Sequence, residues 1–508
     1  MRKISNINLI IFIIFIILIL SAVLIAVTAC GDQENTGSED NNSADTPSPQ
    51  SPDNGVPENA EVKITHDVPD IDFGGYAFTV LSRAGYDGIY WVSVDMYAES
   101  ENGEPINDAV FRRNRILEEK FNIQIQEIQR EADMLSFAQR SVMSGDNDFD
   151  VAYPFMQNAG AMIQRGQLVN LYETAYLSFD KPWWNRVTNN SMTISGKLYC
   201  AVGDIAVITN DSTWAVLFNK AVTKNFGLGN HYQWVKDGKW TLDILHENSK
   251  MVTLDLNGDG VLDLDDQWGA VNQHETMYAF FAASGQTIIK KDAADLPALD
   301  FNSDRTVSVL TKVMDFMTDD VAQTKAEYYI GKYADIWAPV MNTFREDRSL
   351  YAIWPLRAVP DMRSMESDFG ILPLPKYDEA QENYYSVMQY NNATVMCIPV
   401  SAPDLNRTGA ILEAWAAEST DTLTKAYYDI NLIGKHTRDD ESSEMLDLIL
   451  STRVVELGLF FNWEGMQGFF INFSQTGKMD FASQYEKSEP RWLSAIERTI
   501  EQILDSDN

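Results

Sequence analysis

Apolar and polar positions alternate along this chain in two distinct periods. Residues 76–82 (YAFTVLS) form a short apolar run after the Gly74-Gly75 turn and predict a strand. Ile106, Ala109, Val110, Leu117 and Phe121 then fall at helical spacing, with Pro105 at the expected helix start. Residues 148–155 (DFDVAYPF) predict a second strand, and residues 159–168 a helix ending at Gly166. Strand, helix, strand, helix is the order of an α/β unit with a largely parallel sheet. In such sheets ligands sit beyond the carboxyl ends of the strands, where Arg83, Tyr86, Tyr153 and Phe155 fall.

The stretch 194–220 (ISGKLYCAVGDIAVITNDSTWAVLFNK) breaks this regularity. Its β-rich runs 198–202, 205–209 and 214–218 are separated by short polar breaks, including Asn210-Asp211-Ser212-Thr213. Strands interrupted in this way suit a crossing between two lobes better than one buried sheet. Further on, Thr241 is placed as a helix N-cap, and residues 277–283, 307–317, 334–344 and 408–418 carry helical patterns. Residues 348–357 predict a strand that breaks at Pro355, and residues 387–399 another. The prolines of 369–377 (FGILPLPKY) keep that segment extended, as a return crossing to the first lobe. A third crossing is expected near 420–430, and a helix over 491–504 after Pro490.

The amino terminus follows another pattern. Arg2 and Lys3 precede an apolar block over 9–27, which meets Val27-Thr28-Ala29-Cys30. A basic start, an apolar core and small residues form an export signal; length alone also admits a spanning helix. The last four residues resemble a bacterial lipobox, which implies cleavage after residue 29 and lipidation of Cys30. Residues 31–72 are rich in Asp, Glu, Asn, Ser and Pro, lack aromatic residues, and read as a disordered tether.

Composition narrows the function classes. Roughly 435 residues follow the tether, enough for two or three units of ordinary domain size. The formal charge of −35 opposes binding to phosphate backbones and excludes nucleic acid as a natural partner. Five His residues (66, 231, 246, 274 and 436) give little material for a Cys–His or Ser–His nucleophile. No Gly-x-Ser-x-Gly, His-Glu-x-x-His, Walker or Gly-x-Gly-x-x-Gly motif occurs. Beyond Cys30, Cys200 and Cys397 remain; they read either as buried thiols, the preferred reading, or as a disulfide permitted in an oxidising compartment.

Residues 255–266 (DLNGDGVLDLDD) carry the sharpest local motif. Asp255, Asn257, Asp259, Asp263 and Asp266 offer side-chain oxygens at positions 1, 3, 5, 9 and 12, and Val261 a backbone carbonyl at position 7. The spacing resembles EF-hand and dockerin calcium loops, except that Asp266 replaces the usual bidentate Glu. A single structural calcium is the expected cofactor; an acidic surface turn is the alternative.

Several segments, taken in order, resemble extracellular solute-binding proteins of bacterial ABC importers, the maltose-type sugar binders. They are the lipobox and tether, residues 148–173, ISGKLYCAVGD, AVLFNKAV, EDRSLYAIWPLRAV and FGILPLPKYDEAQENYYS. The resemblance implies two α/β lobes of the type II periplasmic-binding-protein kind, joined by hinge crossings, with the EF-hand-like calcium loop in lobe 2. Lobe 1 would comprise 73–205 plus 370–425, and lobe 2 206–369 plus 426–508. It implies a non-enzymatic, monomeric protein, lipid-anchored on the extracellular face of the cell membrane. Such a protein captures a carbohydrate, expected to be an oligosaccharide, between its lobes and delivers it to a permease. Cleft residues expected on this basis are Arg83, Tyr86 and Tyr153 from lobe 1, Asp204 and Asp211 from the crossing, Asn391 near the return, and Trp354 and Trp463 from lobe 2. Aromatic rings would cover sugar CH faces, and carboxylates and amides would take hydroxyl pairs. A peptide or other small-solute binder, a secreted carbohydrate-active enzyme and a surface adhesion protein are the competing readings.

Overall fold

The computed structural model describes residues 65–84, 91–432 and 440–505. The expected signal, Cys30 and most of the tether therefore lie outside the described residues, as does Tyr86. The body that follows is a mixed α/β structure organised on two sheets. The first has the order β2-β1-β3, all parallel, with β1 at Tyr76–Arg83, β2 at Ile123–Arg130 and β3 at Val151–Ala152. The alternating buried and exposed positions at the start of β2 (IQIQ) leave one face to the core and one to solvent. Helix Pro105–Phe121 links β1 to β2 and buries Ala109, Val110, Leu117 and Phe121, as its spacing predicts.

The second sheet has the order β10-β4-β9-β5-β8. Its strands are β4 (Trp214–Asn219), β5 (Trp268–Asn272), β8 (Gln323–Lys325), β9 (Ser349–Pro355) and β10 (Phe369–Leu372). β4, β5 and β9 are buried along their whole lengths and carry near-continuous apolar runs, as strands covered on both faces must. A small hairpin of β6 (Ile289–Lys291) and β7 (Pro297–Leu299) lies outside this sheet.

Several elements depart from the sequence reading. The expected strands at 198–202 and 387–399 make only isolated bridges, at Ala201 and at Met388, Thr394, Met396, Cys397 and Pro399. Four further departures have a plain non-local reason. The run 205–209 is not a strand: Ile208–Asp211 is a helical turn. The Asp95 carboxylate accepts the amides of Val207 and Ile208 at 2.8 and 3.2 Å and fixes that turn from over a hundred residues away. Phe369–Leu372 does not carry the chain back to the first lobe. It pairs antiparallel with β4 inside the second sheet, Phe369 opposite Asn219 and Leu372 opposite Val216. The predicted strand over 148–155 pairs regularly only at Val151–Ala152 and continues as the single bridge of Phe155 with Thr394. Finally, the carboxyl-terminal helix runs over Phe481–Asp505, straight through Pro490. Burial of Phe481, Tyr485, Trp492, Ile496 and Ile503 on one face outweighs the one backbone hydrogen bond that proline removes.

Among the described residues, no helix is long and apolar enough to cross a membrane.

Candidate functional site

Two chain passages join the sheets, and they lie side by side. The first leaves the first-sheet side at Ala201 and enters the second sheet at Trp214. The second returns from Met388 to Met396. They meet at antiparallel bridges, Thr213 with Met388 and Ala201 with Met396. Between those bridges the Gln389 amide donates to the Ser212 carbonyl at 2.8 Å. The return crossing is therefore residues 388–396, later than the sequence reading placed it.

A third passage follows helix Leu405–Ser419 through a π-helical turn, Thr420–Thr424, into Lys425–Leu432. Wide turns of this kind recur where a helix must bend at a functional point. Here the Thr420 hydroxyl donates to Asp204 Oδ2 at 2.6 Å, tying the third passage to the first.

Charge concentrates at this seam. The Arg357 Nη1 donates to Asp211 Oδ2 at 3.0 Å. Arg453 Nη1 donates to Asn210 Oδ1 at 2.6 Å, across 243 residues of sequence. Burial pushes both Asp204 and Asp211 up to about 6, against the pull of Arg453 on the first and Arg357 on the second. The same burial lowers Arg453 to about 10. Arginine suits these positions because its planar fork satisfies several acceptors in fixed directions.

Planar amides gather beside the charges. The Gln157 side chain, at the start of helix Met156–Ile163, donates to the Leu459 carbonyl at 3.3 Å and to Gln467 Oε1. The Gln157 backbone amide reaches the Tyr390 carbonyl at 3.4 Å, and Asn392 Nδ2 donates to Gln389 Oε1 at 2.8 Å. On the second-sheet side, Trp214, Tyr278 and Tyr390 form an aromatic chain with centroids 6.3 and 6.2 Å apart. Glu275 Oε2 and Thr276 Oγ1 are buried there and make no hydrogen bond among the described residues, while the Trp214 indole N–H faces the Tyr278 hydroxyl. Buried polar groups left this way are costly, and convergent ones suit a hydroxylated guest.

The residues proposed from sequence fall into two groups. Asp204, Asp211 and Asn391 lie on the crossings, Asn391 exposed in the turn after Gln389. Tyr153 is buried beside them, lining a small cavity with Gly203, Ile205, Thr209 and Thr394. Arg83, at the end of β1, stacks its guanidinium 3.5 Å over the Phe155 ring. The two tryptophans lie elsewhere. Trp354, in β9, points into the core, edge-on to Trp337 at 6.0 Å. Trp463 stacks on Phe461 and donates from Nε1 to Thr499 Oγ1 at 2.9 Å, against the carboxyl-terminal helix. Sequence reasoning missed Asn210, Arg357 and Arg453, Gln157, Gln389 and Gln467. Arg357 stands two residues after the Pro355 break of a predicted strand, a signal in principle readable; Arg453 carries none.

Residues 255–266 fold as a chain of tight turns. Asp255 accepts the amides of Gly258 and Gly260 at 2.6 and 2.8 Å, and Asp266 those of Leu256 and Asp263, both at 2.9 Å. Gly258 and Gly260 take φ of 75° and 79°, the left-handed region that glycine tolerates. Among the described residues, no group of three or more His, Cys, Asp or Glu side chains is assembled to hold a metal ion.

No family model and no curated protein matches this sequence. Solved structures do match in shape. A sugar transporter of Rhizobium etli in an open conformation superposes with a TM-score of 0.56 at 12% identity, over 84% of this chain and 99% of that one. This chain has the fold of an ABC substrate-binding protein. Two further structures share it. An ABC substrate-binding protein of Listeria monocytogenes in complex with cycloalternan gives a TM-score of 0.51 at 13% identity, covering 85% and 99% of the two chains. A cyclo/maltodextrin-binding protein complexed with maltotetraose gives 0.51 at 14% identity, covering 84% and 96%.

Proposed function

We propose that this protein binds a carbohydrate, an oligosaccharide in preference, between its lobes and delivers it to an ABC transporter permease without turning it over. The observation that supports this most is the seam itself. Paired crossings bring planar amides, two carboxylates, two arginines, buried aromatic rings and an unmatched hydroxyl to one place. That mixture suits sugar hydroxyls and CH faces, and similarly folded proteins are solved with cycloalternan and maltotetraose. The lipobox-like Val-Thr-Ala-Cys and the acidic tether support anchoring of the monomer through Cys30 to the outer face of a bacterial cell membrane.

A thermal-shift panel tests the cargo. An oligosaccharide at about a hundredfold its Kd adds about 2.7 kcal/mol to folding stability and is expected to raise Tm by several degrees. A shift from peptides and none from a broad sugar panel would overturn the carbohydrate reading. Turnover of a glycoside, lost on changing one acidic residue, would overturn the non-enzymatic one.

The loop 255–266 is proposed to take one structural calcium, held by Asp255, Asn257, Asp259, Asp263 and Asp266 with the Val261 carbonyl. Its support is the oxygen spacing and the turn glycines. Calcium is expected to raise Tm in the parent protein and to leave the Asp255→Ala/Asp259→Ala variant unchanged. An equal calcium response in both would rule the site out.

A further inference from the structure

The bridge between Ala201 and Met396 fixes a second pair. These two residues exchange both backbone hydrogen bonds, at 3.0 and 2.9 Å. The next residues outward, Cys200 and Cys397, therefore stand directly opposite in a non-hydrogen-bonded position. The usual Cα separation there is about 4.5 Å, within the roughly 4.4–6.8 Å that a disulfide spans. On its other side Cys397 exchanges hydrogen bonds with Ala152 of β3 at 2.9 and 2.8 Å, so the first sheet holds its backbone in place. Both thiols are buried, Cys200 beside the Met192 sulfur at 3.8 Å.

We propose, resting on the export proposed above, that Cys200 and Cys397, both free thiols in this structure, are oxidised to a disulfide as the chain folds outside the cell. Two S–H bonds break and one S–S bond forms. The two protons and two electrons pass to a disulfide oxidant, protein-borne or of low molecular weight, which is reduced to its thiols. Folding closes the site behind the reaction. Burial and the neighbouring Cys200 thiol push the Cys397 thiol well above its ordinary range, so the thiolate needed for exchange is scarce once the strands have paired.

The position gives the cross-link its consequence. Every strand of the second sheet, from β4 at 214 to β10 at 372, lies between the two cysteines in sequence. The bond closes a loop of about 200 residues at its neck, where loop-closure entropy favours it most. It also clamps the two crossings together at their first-sheet ends. Bending of these two crossings is then confined to residues 203–212 and 389–394.

Peptide mapping tests the link. The full chain is produced in a host that exports it, collected without reductant, unfolded with iodoacetamide present, and cleaved with trypsin. Peptide 198–220 is expected to be joined to peptide 377–407, and to separate on treatment with dithiothreitol. In Cys200→Ser, peptide 377–407 is expected to appear as a single alkylated species. Recovery of both wild-type peptides alkylated, or linkage of either to Cys30, would overturn the proposal.

Discussion

Replacing Arg113 with alanine is expected to lower stability by about 3–5 kcal/mol, the usual loss when one partner of a buried ionic group is removed. Its side chain is fully buried in helix Pro105–Phe121. Nη1 donates to the Ile205 carbonyl at 3.0 Å and to Ser419 Oγ at 3.2 Å, and Nη2 to the Asp95 carbonyl at 2.6 Å. The guanidinium also lies 5.1 Å from the Trp415 ring. One side chain thus joins the first crossing, the helix leading to the third passage, and the loop that supplies Asp95. Without it, the Asp95 carboxylate that fixes the Ile208–Asp211 turn keeps its burial and loses its nearest cation. Arg113→Lys is expected to recover part of the loss, because charge returns and the fork does not. Urea unfolding measures both. An alanine variant within about 1 kcal/mol of the parent would show that the crossing does not depend on this group.

The second large effect is on pH. Burial raises Asp204 and Asp211 to about 6, and Glu127, Glu327 and Glu456 to about 7. For Glu327 the like charge of Glu275 adds to burial. All five hold protons to higher pH folded than unfolded. Between about pH 4 and 7 the unfolded chain binds fewer protons at these sites, so stability falls as pH rises through that window. His231 and His274 act oppositely: burial lowers both to about 4, so they favour folding as pH rises to about 6.5. Above that point only the carboxyl groups remain active. Each full proton of difference is worth about 1.4 kcal/mol per pH unit. The three glutamates together are expected to remove on the order of 2–4 kcal/mol between about pH 6 and 8, with screening at the partly exposed Glu127 trimming its share. Tm is therefore expected to fall by several degrees over that range. Glu456→Gln is expected to flatten the slope by roughly a third, since its carboxylate accepts the amides of Ile288, Ile289 and Gly458 at about 3 Å inside the core. A Tm independent of pH from 6 to 8 would contradict these shifts.

Much of this architecture was legible in local pattern. The helical spacing before Phe121 and the apolar runs of β1, β4 and β9 each mark elements that form where predicted. Thr241 caps its helix as expected, accepting the Ile244 amide. Those features depend on neighbours a few residues away, which a sequence displays directly. The crossing segment 194–220 was readable as irregular, and its polar break marks where the Ile208–Asp211 turn replaces a strand.

The candidate site was much less legible. Asp204 and Asp211 were expected in the crossing through the family resemblance. Their partners could not be read, because Thr420, Arg357 and Arg453 arrive from distant segments with no pattern of their own. Trp354 and Trp463 were expected in the cleft on the same resemblance, as aromatic faces from lobe 2, yet a ring's side of a sheet or helix follows from packing. Each is buried in a core formed by other parts of the chain. The sequence by itself determined the alternation of strands and helices, the acidic character and the presence of a crossing near residue 200, all encoded in local periodicity and composition. Only the tertiary structure decided which extended segment returns beside that crossing, and so which arginines, amides and cysteines meet there. Backbone pairing and desolvated charge pairs draw their energy from groups hundreds of residues apart, and no local window contains both partners.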